Sequence, residues 1–80
     1  MIDRALALVN EEVQRQAVLW GPAETQRQSP EKRLTILVEE VGEYAEAVLE
    51  HRPQEAQDEL VQIAAVAVSN IVRYMHGLDA

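Results

Sequence analysis

Cysteine is absent from this 80-residue sequence, which excludes disulfides and thiolate metal sites. Aromatic residues are few: Trp20, Tyr44 and Tyr74, with no phenylalanine. A core must therefore be aliphatic and rich in alanine, which favours close helix packing over a sheet. Long apolar runs are also missing. The longest, Ile63 to Val68, falls far below the roughly 20 residues that span a bilayer. Met1-Ile2-Asp3-Arg4 lacks the charged-then-apolar pattern of a signal peptide, so a cytoplasmic protein is expected, with no membrane partner. Positive charge is scarce, with 7 Lys and Arg against 14 Asp and Glu and a net charge of −7. That balance argues against a nucleic-acid polymer as partner. An anionic polyphosphate would need a divalent cation as a bridge.

What is present is enough apolar character, 48% of residues, to fold. Residues 1–80 are read as one all-α domain with helices over about 3–20, 30–50 and 53–75. A domain this small commonly needs a partner subunit or a metal to complete it. Asp3 is placed to cap the first helix. Leu6, Val9, Val13, Ala17 and Trp20 form its apolar stripe, with Glu11, Glu12, Gln14 and Arg15 on the other side. Gly21-Pro22 ends it. Residues 21–29 form a polar connection without periodicity, either a cover over a site or a plain surface loop.

Ser29-Pro30-Glu31 opens the second helix with a capping serine, a proline at the first position and a glutamate at the positive end. Its stripe is Leu34, Leu37, Val41, Tyr44, Ala45 and Val48. Gly42 costs about 1 kcal/mol against alanine, which predicts close approach of a neighbouring backbone or ligand. The third helix carries two apolar faces, Leu60-Ile63-Ala64-Ala67-Ile71 and Val61-Ala65-Val68-Val72-Met75, and should be central. Three helices cannot surround it. A second copy is expected to cover part of it as a symmetric dimer with a four-helix-bundle-like core. Gly77 is placed as the terminal stop.

The acidic residues divide by angle. Glu39, Glu46 and Glu50 lie together away from the stripe, as on a solvated face. Glu40 and Glu43, three apart, share the stripe's edge. On the third helix Glu55, Asp58, Glu59 and Gln62 form one line, and two registers compete. Glu55 with Asp58 offers two carboxylates. Glu59 with Gln62 offers a carboxylate and an amide, but lies opposite Glu43 and Glu40 in an antiparallel hairpin. Asp58 is then an extra ligand or a hydrogen-bond partner. Carboxylates aimed at one half-buried point repel unless a cation neutralises them. Oxygen-only ligands suit Mg²⁺; zinc would want histidine or cysteine, and His51 and His76 are not placed for it. Arg73 lies on the line of Gln62 and is a candidate for a phosphate or a plain helix-end cation.

Leu37-Val38-Glu39-Glu40-Val41-Gly42-Glu43 resembles the Glu-Glu-x-x-Glu motif of the MazG-like all-α nucleoside triphosphate pyrophosphohydrolases. Asp58-Glu59-Leu60-Val61-Gln62-Ile63-Ala64-Ala65 stands where that family carries Glu-x-x-Asp at the head of an apolar helix. Gln16-Ala17-Val18-Leu19-Trp20-Gly21, after Glu11-Glu12, is also similar to short members. The resemblance implies a dimer or a dimer of dimers that hydrolyses a (deoxy)nucleoside triphosphate to monophosphate and pyrophosphate with Mg²⁺, or Mn²⁺ in its place. It implies Glu40, Glu43 and Glu59 as metal-binding acids, with Gln62 in place of the family's aspartate. A carboxylate such as Glu39 would orient the water that attacks the α-phosphorus, and Trp20 or a residue of the 21–29 loop would stack on or frame the base. The alternatives are a nucleotide- or metal-binding module without turnover and a purely structural helical dimer.

Overall fold

The computed structural model describes residues 1–26 and 28–77. It contains α1 (Ile2–Trp20), a single 3₁₀ turn at Ala23–Thr25, α2 (Pro30–Leu49) and α3 (Pro53–Met75). The described residues are all helix and turn, in the expected order. Arg27, within the expected 21–29 connection, lies outside the described residues. No helix among them is long and apolar enough to cross a membrane.

Local signals set most of the boundaries. Ser29 Oγ accepts from the Lys32 N–H at 3.1 Å, and Pro30 stands at the first helical position. Gly21 takes φ 86° immediately after α1, its N–H bonded to Ala17 O. Asp3 does not cap α1 as expected. The helix begins a residue earlier, Met1 takes the cap position without a side-chain bond, and Asp3 lies in the first turn. There its charge still meets the positive helix end.

The α2–α3 turn is a Schellman motif without glycine. Arg52 N–H bonds Ala47 O at 2.9 Å and His51 N–H bonds Val48 O at 3.2 Å. These are the six-to-one and five-to-two bonds of that cap. The pivot is His51, at φ 57°, a region where an L side chain costs about 1–2 kcal/mol. Gly77, at φ 70°, ends α3 as expected.

The hairpin of α2 and α3 is flanked by α1, which packs on α3, so α3 is the central helix. The inward faces differ from the expected stripes. On α2, Arg33 and Ala47 are buried and Ile36, Leu37, Glu40 and Tyr44 half-buried, whereas Leu34, Val41, Ala45 and Val48 are exposed. On α1, Gln16 is buried and Glu12 half-buried, whereas Leu6 and Trp20 are exposed. Gly42 has no close neighbour: a Cβ there would meet nothing within 4 Å. Only two apolar residues are fully buried among those described, Ala47 and Ala65. Ile36, Leu37, Ile63, Val66 and Val72 are half-buried, and many other large aliphatic side chains line the outside. Leu34, Val38, Val41, Ala45 and Val48 follow one another along α2 at the alternating four- and three-residue spacing of a helix-pairing seam. Leu60, Val68, Ile71 and Met75 are exposed on α3.

Candidate metal centre

Two helical turns face each other just before the hairpin's bend. Glu40 and Glu43 stand one turn apart on α2, and Glu59 faces them from the second turn of α3. Each can offer a carboxylate oxygen such that all three lie within 4.8 Å of one another. Glu40 and Glu59 are half-buried and Glu43 exposed. One oxygen of Glu40 and one of Glu59 are shut off from solvent without a hydrogen-bond partner. The charges feel this crowding. The Glu59 carboxyl is raised by its hydrogen bond with Glu40, then by burial and by the Glu40 charge. Glu43 is raised first by the Glu59 charge, then by burial and the shared hydrogen bond, with Glu39 and Glu46 adding to it.

Of the two expected pairs on α3, neither joins the trio whole: Glu59 alone stands there. Glu55 is engaged at the bend by Arg52, which also pairs with Glu50 and, at 3.8 Å, with Glu46. Together with Glu43 and Glu59, Arg52, Glu46 and Glu55 border a cavity of about 170 Å³. Asp58 and Gln62 point to the other side of α3. They line a groove of about 540 Å³ against α1, with Arg4, Leu8 and Glu12. Asp58 accepts from Gln54 there at 3.1 Å. Glu39 is exposed on α2, close enough for its charge to act on Glu43.

Glu12 is the acidic residue that periodicity assigned to the wrong side. Arg15 grips it with two bonds, at 2.8 and 2.6 Å, and Gln16 Nε2 donates to it at 2.9 Å. The Arg15 hydrogen bond holds its carboxyl below the usual range, against the opposing effect of burial. Polar residues spaced i, i+3, i+4 were the available signal.

The two remaining expected residues lie at the far end of the bundle. Arg73 is fourteen residues beyond Glu59 on α3, about 21 Å along the axis, so it does not join the trio. It is buried and donates to the carbonyl oxygens of Ala23, at 3.0 Å, and of Gln26. Trp20 is 57% exposed and stands over a cavity of about 30 Å³ with Gln16, Gln26, Gln28, Arg33 and Asn70 among its walls. Arg33, also buried, donates to Asn70 Oδ1 at 2.9 Å and lies 6.0 Å from the Tyr74 ring centroid.

The donor set of the trio is three carboxylates with neither histidine nor cysteine, and two of its oxygens are buried without a partner. Such a set fits a hard divalent cation of the Mg²⁺ or Mn²⁺ kind, which takes oxygen ligands and keeps several waters. Compared with known protein families, with curated proteins and with solved structures, the chain matches none, so the chemistry of the site rests on its own residues.

Proposed function

We propose that the chain is a homodimeric nucleoside triphosphate pyrophosphohydrolase of the MazG-like kind, dependent on Mg²⁺ or Mn²⁺. The observation that carries this is the pair of buried, unpartnered oxygens of Glu40 and Glu59, aimed with Glu43 at a common point. Buried polar atoms ordinarily find partners, and three carboxylates can supply only acceptors to each other unless a proton or a cation intervenes. A divalent cation held by Glu40, Glu43 and Glu59 would neutralise charge and polarise phosphate oxygens.

The chain's own residues supply the rest. Glu39, exposed and beside Glu43, is free to accept a proton from water and to orient it toward the α-phosphorus. The Trp20 cavity is the seat for the nucleoside. Its wall residues Ile36 and Val66 lie about one and two helical turns from Glu40 and Glu59 respectively, a spacing that suits an extended nucleotide. Its side-chain amides, Gln16, Gln26, Gln28 and Asn70, offer both donors and acceptors to a base edge. At about 30 Å³ the cavity has room only for water, so nucleoside entry requires the exposed Trp20 ring to swing aside while the connection keeps its place as a wall.

The dimer is part of the same proposal. With Ala47 and Ala65 the only fully buried apolar residues among those described, so small a domain calls for a covering partner. The outward seam of α2, the exposed aliphatic residues of α3 and the open side of Gly42 suit a second copy crossing closely.

The test is hydrolysis of a panel of ribo- and deoxyribonucleoside triphosphates with Mg²⁺ or Mn²⁺, monophosphate and pyrophosphate being measured. Product formation lost in Glu40→Gln and Glu59→Gln is expected. Binding without turnover would favour a binding module. Neither binding nor turnover would leave a structural dimer.

A further inference from the structure

We propose that Arg73 is a positioning residue that pins the α1–α2 connection onto the end of α3 and so sets the affinity of the Trp20 cavity for a nucleoside. The connection packs on α3 through its single 3₁₀ turn, and its backbone polar groups need partners wherever they are withdrawn from water. The Thr25 and Gln26 N–H groups both bond to Pro22 O, at 2.9 and 3.1 Å. Thr25 Oγ1 donates to the same carbonyl at 3.1 Å, and Gln26 Nε2 donates to Gly21 O at 2.9 Å. The carbonyls of Ala23 and Gln26 are met from outside the connection, and the donor is Arg73 Nη1.

Arg73 is suited to this by charge and shape. It lies in the last turn of α3, where the helix dipole favours a cation, and it is 7% exposed. A charged donor to a carbonyl is stronger than a neutral one. Its grip falls between Gly21, the φ 86° pivot after α1, and Gln28, which lines the cavity. Gln26 itself both accepts from Arg73 and lines the cavity beside Trp20. Moving the clamp therefore moves the cavity wall, while Glu59 stands fourteen residues away along α3, about 21 Å along the axis.

The effect on nucleoside affinity rests on the proposed function; the pinning does not. Trp20 is the single tryptophan, so emission comes from one place, the end of α1 where the connection begins. Arg73→Met is expected to shift Trp20 emission to the red and to open the 21–29 connection to limited proteolysis, with helicity by circular dichroism retained. Arg73→Lys, still able to donate to one carbonyl, is expected to recover part of both. With nucleotide and Mg²⁺, Arg73→Met should raise KM about tenfold, the loss of roughly one charged hydrogen bond, with kcat within about twofold. Hydrogen exchange compares the two proteins: the Thr25 and Gln26 amides, bonded to Pro22 O, should exchange faster in Arg73→Met while amides in the middle of α3 do not. Unchanged exchange of these amides, or an Arg73→Met protein with unchanged emission and cleavage, would overturn the pinning. A fall in kcat at constant KM would overturn the nucleoside role. If the unmodified protein hydrolyses no nucleotide while the fluorescence and exchange arms hold, the proposed function and the nucleoside role fail and the clamp stands.

Discussion

Replacing Glu59 by glutamine separates a cation site from a surface cluster, because the two give opposite answers with and without metal. With every carboxylate charged, Glu40 and Glu59 hold oxygens no more than 4.8 Å apart. Their repulsion is about 3 kcal/mol at an effective dielectric of 20 and under about 1 kcal/mol in water. The pair is partly exposed, so the lower end applies, about 1 kcal/mol. In EDTA at neutral pH, Glu59→Gln is therefore expected to melt about 4–8 °C above the unmodified protein, given the usual conversion for a domain of this size. Mg²⁺ at tenfold excess over its Kd adds about 1.4 kcal/mol to a protein that binds it only when folded, or about 6–11 °C. The unmodified protein should gain that shift and Glu59→Gln most of it should lose, so the order of stability reverses. Differential scanning fluorimetry with NaCl at matched ionic strength reads both numbers. Equal Mg²⁺ and NaCl responses in the unmodified protein would refute the site.

The pH dependence of metal-free protein has a definite sign. Glu43 and Glu59 are raised, so the folded state binds more protons than the unfolded one between the ordinary carboxylate range and their raised values. Stability should fall as pH rises through that interval. Glu12 is lowered and acts oppositely, stabilising above the ordinary carboxylate value and losing that as pH falls through its own. Urea melts in EDTA of Glu12→Gln should thus decline from about pH 4 upward, and a rising profile would contradict the crowding. His51→Gly should stabilise by about 0.5–1 kcal/mol, relieving the left-handed residue less the entropy glycine adds to the unfolded chain; lower stability in the same melts would refute the Schellman assignment. Val41→Lys, mid-seam on α2, should yield a monomer with much reduced helicity by light scattering and circular dichroism, and an unaffected dimer would move the interface elsewhere.

The helices were legible because their ends are written locally. Ser29-Pro30, Gly21-Pro22 and Pro53 act over a turn or less, and the structure follows them within a residue. The meeting of Glu40, Glu43 and Glu59 was legible too, since three-residue spacing and an antiparallel bend fix it. Which face of α2 turns inward was not. Its apolar stripe is real, but within one chain Leu34, Val41 and Val48 face out while Arg33 and Glu40 face α3. Amphipathicity gives a direction without saying which neighbour answers it. The buried arginines were hidden for a related reason. Arg33 depends on Asn70, 37 residues on, and Arg73 on carbonyls 47 and 50 residues back, and no local pattern announces such partners.

The distribution of positive charge bears on what the proposed site can accept. Of the seven basic residues, Arg15 is committed to Glu12, Arg52 to the carboxylates of the bend, Arg33 to Asn70 and Arg73 to the connection. Arg4, in the α1–α3 groove, and exposed Lys32 carry no such duty among the described residues. Neither stands in the cavity that Glu43 and Glu59 border. Three carboxylates around one dication still leave an excess negative charge, and a polyphosphate adds more. A bare polyanion would be repelled from such a place. It follows from the proposed function that the substrate must arrive with its own divalent cation. Activity should then track the concentration of the metal–nucleotide complex, with free nucleotide acting chiefly by withdrawing metal.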